Sequence, residues 1–246
     1  EQIPDMKLLM ETYRNVFHNY PFIYDIAGTQ TSVNASTLDD LETAFKLNYH
    51  DSRLLLVVIG PDDPDSIQEL VENHPQNSKL ELGNVEDVIV HEPLTVVHKE
   101  REITGDISIS KMSYAFKFAY EGLDKMRDQF LIRRILDMNF SELNSDYQKW
   151  LDDDIITDFF SYDVDLREEF GVIYFFNQSD KPEEFKELVH QRMNDLKIDE
   201  SRFEQIMKRS YGEIILSLSQ FDSLAFSIAQ SEFDQQDYFE SVSKLR

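Results

Sequence analysis

Residues 54–59, Leu-Leu-Leu-Val-Val-Ile, constrain the fold of this chain more than any other stretch. The run is short, apolar and β-rich, and Gly60-Pro61 stops it. It has no polar position, so neither face can be left to water, as in a central strand covered on both sides. Its backbone needs neighbours as well, because unpaired N–H and C=O groups stay unsatisfied or recruit another chain. Residues 1–74 offer no other strand except the piece at 22–26. The first portion therefore reads as part of a domain whose other strands lie elsewhere.

The residues around the run give an ordered series of local signals. Pro4 opens a helix over residues 4–18, with Met6, Leu9, Met10, Tyr13 and Phe17 on one stripe. Tyr20 precedes Pro21 and is pushed into extended backbone. Gly28 supplies a position free to take positive φ. Thr37 and Asp40 stand at capping-box spacing before Leu38, Leu41 and Phe45. Asp63-Pro64 reads as N-cap and first-turn proline of a helix turning Ile67, Leu70 and Val71 inward. The order is loop, helix, buried strand, tight turn, helix.

With Pro21, Asp25, Ile26, Ala27, Gly28, Thr29, Val33, Leu41, Tyr49, His50, Leu56, Val57, Val58, Gly60 and Pro64 in place, this segment resembles the pitrilysin/insulinase-type zinc metallopeptidases. That family includes the mitochondrial processing peptidases and bacterial relatives, and looser similarity runs over almost the whole chain. The resemblance makes Pro21, Asp25, Gly28, Thr29, Tyr49 and Gly60 a structural motif rather than a catalytic one. It also implies that the zinc-binding H-x-x-E-H helix and the third ligand, a glutamate, lie upstream of Tyr20. The chain is then expected to begin shortly after that glutamate.

Forty-eight acids against 24 bases give a net charge of −24, which argues against nucleic acid or an anionic membrane surface as partner. The 41% hydrophobic and 12% aromatic content suffices for a sizeable core. The absence of cysteine excludes disulfides and thiolate metal sites. No apolar run approaches a membrane span and residues 1–20 lack a signal-peptide pattern, so a soluble, cytoplasmic protein is expected. The N-x-[ST] matches at Asn34, Asn139 and Asn177 then read as chance.

Residues 75–93 are polar, proline-flanked and poorly periodic, a linker. Beyond it, strands are expected over 94–101 and 107–120, a helix over 123–140, another over 143–151, and a strand pair over 156–164 and 170–176. Asp180-Lys-Pro182 repeats the acid–proline helix start, with Phe185, Leu188, Val189, Met193 and Leu196 inward. Ser201-x-x-Glu204 reads as a capping box, and 221–243 as a final helix. The expected class is α+β, helices packed on a mostly antiparallel sheet, as in one and a part halves of a pitrilysin-type peptidase. Residues 1–74 would be the C-terminal part of the first, catalytic-type domain, 75–93 the linker, and 94–246 the companion domain without its last elements.

The search for chemistry is mostly negative. No H-E-x-x-H or H-x-x-E-H occurs, and His18, His50, His74, His91, His98 and His190 stand singly. Glu187 and His190 share a helix face, but one such pair does not make a metal site. Glycine-rich phosphate loops and a nucleophile elbow are also absent. By the resemblance, the 201–220 helix corresponds to the one carrying the zinc glutamate, yet its Glu204 and Glu213 have no histidine partners. Active relatives often place an arginine and a tyrosine near substrate in a pattern the 147–158 region does not carry. Asp152, Asp153, Asp154 and Asp158 form the densest acidic cluster. It reads as a solvated turn, with contact to basic peptides as the functional alternative.

The expected function is a part of a zinc-dependent peptidase of the processing-peptidase type, without the zinc-binding motif and inactive alone. The alternative is a non-catalytic subunit of a two-subunit peptidase-like complex. No cofactor is expected in this chain, with zinc only where an upstream motif holds it. Expected partners are the parent's peptide substrate and a second copy or paired homologous subunit, with no nucleic acid and no membrane span.

Overall fold

The computed structural model describes residues 3–50, 54–75, 90–122 and 124–245. Its secondary structure is α1 (Pro4–Val16), a 3₁₀ turn (Pro21–Ile23), α2 (Gln30–Ala35), α3 (Leu38–Asn48), α4 (Pro64–Glu72), β1 (Lys111–Ala119), α5 (Lys125–Phe140), α6 (Tyr147–Asp152), β2 (Ser161–Leu166), β3 (Phe170–Gln178), α7 (Pro182–Asn194), α8 (Glu200–Ser217), α9 (Phe221–Phe233) and α10 (Tyr238–Ser243). The class is α+β with an antiparallel sheet, as the sequence predicts. The chain divides into two compact units, Glu1–Ile26 with Val90–Arg209, and Ala27–Ile89 with Ser210–Arg246. The middle of the expected linker, residues 76–89, lies outside the described residues.

The first unit is built on a three-stranded sheet in the order β1-β3-β2. β3 runs down its centre, with Phe175 opposite Tyr114 on one side and Tyr162 on the other. Alternation divides its side chains between two cores. Ile173 and Phe175 join Met112, Val164 and Leu166 beneath α5, α6 and α7, which add Leu136, Phe140, Trp150, Phe185 and Val189. Phe170, Val172 and Tyr174 face the other way, onto Val16 and Phe17 of α1 and its exit, with Tyr13, Tyr20 and Phe22 around them. β3 is therefore the strand covered on both faces, and its apolar, aromatic-rich sequence follows from that.

Asn139 and Asn177, both buried, serve this unit as internal clamps. Asn139 donates to the Ile135 and Lys197 carbonyls and accepts from the Lys197 N–H at 2.9 Å. Asn177 donates to the Ile155 carbonyl at 2.8 Å. Such roles leave no room for a sugar on either side chain.

Several expected elements take a different form. Residues 94–101 form no strand, because the Val97 and His98 N–H groups both donate to the Asn15 carbonyl at the end of α1. Residues 22–26 form no strand: Phe22 and Ile23 complete the 3₁₀ turn, although Tyr20 before it is extended, with ψ 136°. α8 starts at Glu200 and is capped by Asp199, whose Oδ1 accepts the Arg202 N–H at 3.0 Å. Ser201 and Glu204 lie inside its first turns, so the expected capping box is not formed. Lys181 rather than Asp180 precedes α7, and the hydroxyl of Ser179 accepts its N–H. The single helix expected over 221–243 breaks at Gln235, which has a φ of 55°, and restarts behind Asp237, whose carboxylate accepts the Glu240 N–H.

In the second unit the capping signals hold, but Leu70, expected to turn inward on α4, is 67% exposed, because no described element packs over that face. Thr37 and Asp40 form a full capping box at α3, and Asp63 caps α4 with Pro64 in its first turn. Gly28 has a φ of +73°, and a Cβ there would meet Ser32 Oγ at 2.9 Å. Gly28→Val is expected to lower the unfolding free energy by roughly 1–3 kcal/mol, read from urea denaturation. A change below about 0.5 kcal/mol, the ordinary range for a surface substitution, would show that the turn tolerates a side chain.

Candidate interaction surface

The motif residues around Gly28 hold backbone geometry. Pro21 begins the 3₁₀ turn, and Asp25 follows it. Thr29 is the N-cap of α2, sharing with Ser32 a reciprocal box that sequence spacing alone did not single out, because serine is not the usual third residue. Tyr49 is the C-cap of α3 and stacks on Phe45, ring centroids 4.9 Å apart. Gly60 turns the chain after residues 54–59. None of these residues gathers into a reactive constellation.

Residues 54–59 are where expectation and structure part. They belong to no strand, and the sheet of the first unit does not include them. Leu54, Leu56 and Val58 are 51%, 64% and 54% exposed. A strand is buried only by neighbours, and among the described residues none pairs with this one. The surrounding unit shares the property. Leu38, Leu41 and Phe45 of α3, Leu70 of α4, and Phe226 and Phe233 of α9 are also exposed, while its buried described residues are mainly small or polar, such as His50, Ser231, Ser241 and Val242. Apolar exposure on this scale makes the unit a candidate interaction surface.

The acidic cluster is a helix end. Asp154 has a φ of 53° in the turn after α6, its carbonyl accepts the Ser179 hydroxyl, and the Asp153 carbonyl accepts from Lys181 Nζ. Asp152 accepts from Gln148 Nε2 at 2.9 Å. The side chains of Asp152, Asp153, Asp154 and Asp158 are exposed. Asp153 alone of the four borders a cleft of about 430 Å³ between α6 and α7, which Trp150, Ile155 and Leu188 line with it. Arg192 already covers the Trp150 ring, 5.0 Å from its centroid, and pairs with Asp146.

Among the described residues no three His, Asp or Glu side chains gather where they could hold an ion. Glu187 accepts from Gln191, and His190 packs edge-on against Tyr114 and Phe116. The pair therefore does not fit zinc. No helix among the described residues is long and apolar enough to cross a membrane.

Residues 35–210 match the family model described as the peptidase M16 inactive domain. The chain belongs to the M16 peptidase family. It is 24% identical over 98% of its length to the uncharacterized zinc protease YmfH of Bacillus subtilis. Its fold matches an M16-like peptidase from Alicyclobacillus acidocaldarius with a TM-score of 0.80 at 24% identity, over 98% of this chain. A protease from Helicobacter pylori matches at 0.76 and 16% identity over 98%, and a chain of complex III2 from Candida albicans, Inz-5 bound, at 0.68 and 13% over 99%. The chain spans 58% of the Bacillus relative and 59%, 62% and 60% of the three structures. The M16 match also accounts for the sequence itself, which contains no H-x-x-E-H.

Proposed function

We propose that this M16 chain is the non-catalytic portion of a zinc-dependent peptidase of the pitrilysin/processing-peptidase type, supplying interface and chamber wall. The zinc chemistry belongs to whatever part of the protein or its partner carries the ligand motif. The observation that supports this reading is the exposed apolar run at 54–59. Fully burying side chains of this kind is worth about 1.5–3 kcal/mol each, a large sum for a marginally stable fold. In this reading residues 1–74 complete a catalytic-type domain, 75–93 link, 94–246 form the companion domain, and the protein is cytoplasmic. Asp152, Asp153, Asp154 and Asp158 stay available to basic segments of a peptide substrate.

A second reading, a non-catalytic subunit paired with a homologous one, draws on the fold likeness to a chain of complex III2. An intact H-x-x-E-H upstream of Glu1 in the parent sequence supports the first reading, and a degraded one the second.

Sedimentation velocity of the 246-residue chain tests the shared claim. Concentration-dependent association that persists at 0.3 M salt, and that Val58→Asp weakens, is expected, because salt screens the acidic repulsion beyond about 10 Å already at 0.1 M. The dialysed sample should carry no stoichiometric zinc. A strict monomer at high concentration with residues 54–59 protected from hydrogen exchange would reject the interface. Bound zinc with chelator-sensitive hydrolysis would reject the non-catalytic assignment.

A further inference from the structure

A fully satisfied buried carboxylate sits at the exit of α1. Glu92 is buried, its side chain 0% exposed and that of its partner Lys117 1%. One carboxylate oxygen accepts the His18 N–H at 2.8 Å and Lys117 Nζ at 2.7 Å. The other accepts the N–H groups of Asn19 and Tyr20 at 2.7 and 2.9 Å. Lys117 donates as well to the Val16 carbonyl and stands 5.1 Å from the Phe17 ring and 5.5 Å from that of Phe170. Successive main-chain N–H groups aimed at one point make an anion-binding concavity, and here a buried ammonium completes it.

Further polar ties join residues 90–98 to the end of α1. Asn19 Nδ2 donates to the His91 carbonyl, the Val97 and His98 N–H groups donate to the Asn15 carbonyl, and Thr95 meets His18 at 3.4 Å. We propose that the amides of His18, Asn19 and Tyr20 together with Lys117 form a small-carboxylate site that Glu92 plugs from within the chain, clamping residues 90–98 over the exit of α1.

The geometry separates this from ordinary core packing. The site consists of donors, so emptying it leaves a cavity that prefers an anion to an apolar group, and a formate ion matches the carboxylate removed. An apolar substitution at position 92 should not refill it. Glu92 also anchors the backbone of Tyr20, whose ring stands edge-on to Phe170 at 5.3 Å, so losing the carboxylate would loosen the start of the structural motif while the opposite core, beneath α5 and α7, stays intact.

Glu92→Gly in the full 246-residue chain, probed with sodium formate and with sodium chloride as the ionic control, provides the test. Amide exchange at residues 18–20 is expected to accelerate at least about tenfold, the loss of hydrogen bonds to a charged acceptor. Millimolar formate should reverse this saturably, and chloride should not. Should Glu92→Gly fail to fold, Glu92→Asp, one methylene shorter, is expected to show the same selective acceleration at residues 18–20 with α5 and α7 protection unchanged. Native-like exchange at residues 18–20 in the variant that folds, or rescue by chloride equal to that by formate, would overturn the proposal.

Discussion

Replacing Lys117 by methionine is expected to lower the unfolding free energy of the chain by about 3–5 kcal/mol, because it leaves a carboxylate buried without its cation. Methionine fills much of the lysine's volume, so the loss reports charge rather than a cavity. The Val16 carbonyl loses its donor in the same step. For many buried ion pairs a double apolar replacement recovers stability. That should fail here, because removing Glu92 also strands the N–H groups of residues 18, 19 and 20, each an unsatisfied donor that costs about 1–3 kcal/mol when buried. Urea denaturation of Lys117→Met and of Lys117→Met/Glu92→Leu decides this. A double variant as stable as native would show that the donors find other partners.

The same pair sets a pH dependence. Burial drives the Glu92 pKa upward, but hydrogen bonds from Lys117 and from the His18 and Asn19 amides outweigh it and hold the pKa below its ordinary value of 4.5. A carboxylate with a depressed folded pKa contributes stability that is complete above the unfolded value and is lost as the pH falls through the folded one. The difference in melting temperature between native protein and Glu92→Gln is therefore expected to be largest near neutral pH and to narrow below pH 4.5.

Gly171→Val is expected to cost about 2–3 kcal/mol, the scale of overpacking a formed core. Gly171 lies in the middle of the sheet, paired with Phe118 on β1 and Leu166 on β2. A Cβ there would come within 2.3 Å of the Phe118 ring and 2.7 Å of Leu166 Cδ2. Leu166 is buried and has nowhere to go, so the Phe118 ring must leave the core face. Phe118→Ala in the same chain should return part of the loss, a positive coupling between two residues in contact. Additive losses in the double variant would mean that the strain sits in the backbone rather than against the ring.

What the sequence determined by itself was local. Asp63-Pro64, Thr37 with Asp40 and the positive φ of Gly28 are legible because each acts over three or four residues through a bond that the residue types nearly dictate. Alternation likewise located β1, and apolar periodicity the buried Phe185, Leu188 and Val189 of α7, although Leu196, expected inward with them, lies beyond the helix and is exposed. The run at 54–59 was legible as apolar and β-rich, but its burial was not, because burial belongs to neighbours and not to the run. Local signals also misled where several acceptors compete: Ser201 and Glu204 have capping spacing, yet Asp199 caps the helix. Tertiary structure alone decided that residues 94–101 tie to the end of α1 and that Glu92 reaches amides more than seventy positions away. It also decided that Gly171 is a glycine because Phe118 crosses it. These are long-range pairings, and nothing in the spacing of nearby residues encodes which distant donor, acceptor or ring a side chain will meet once the sheet has formed.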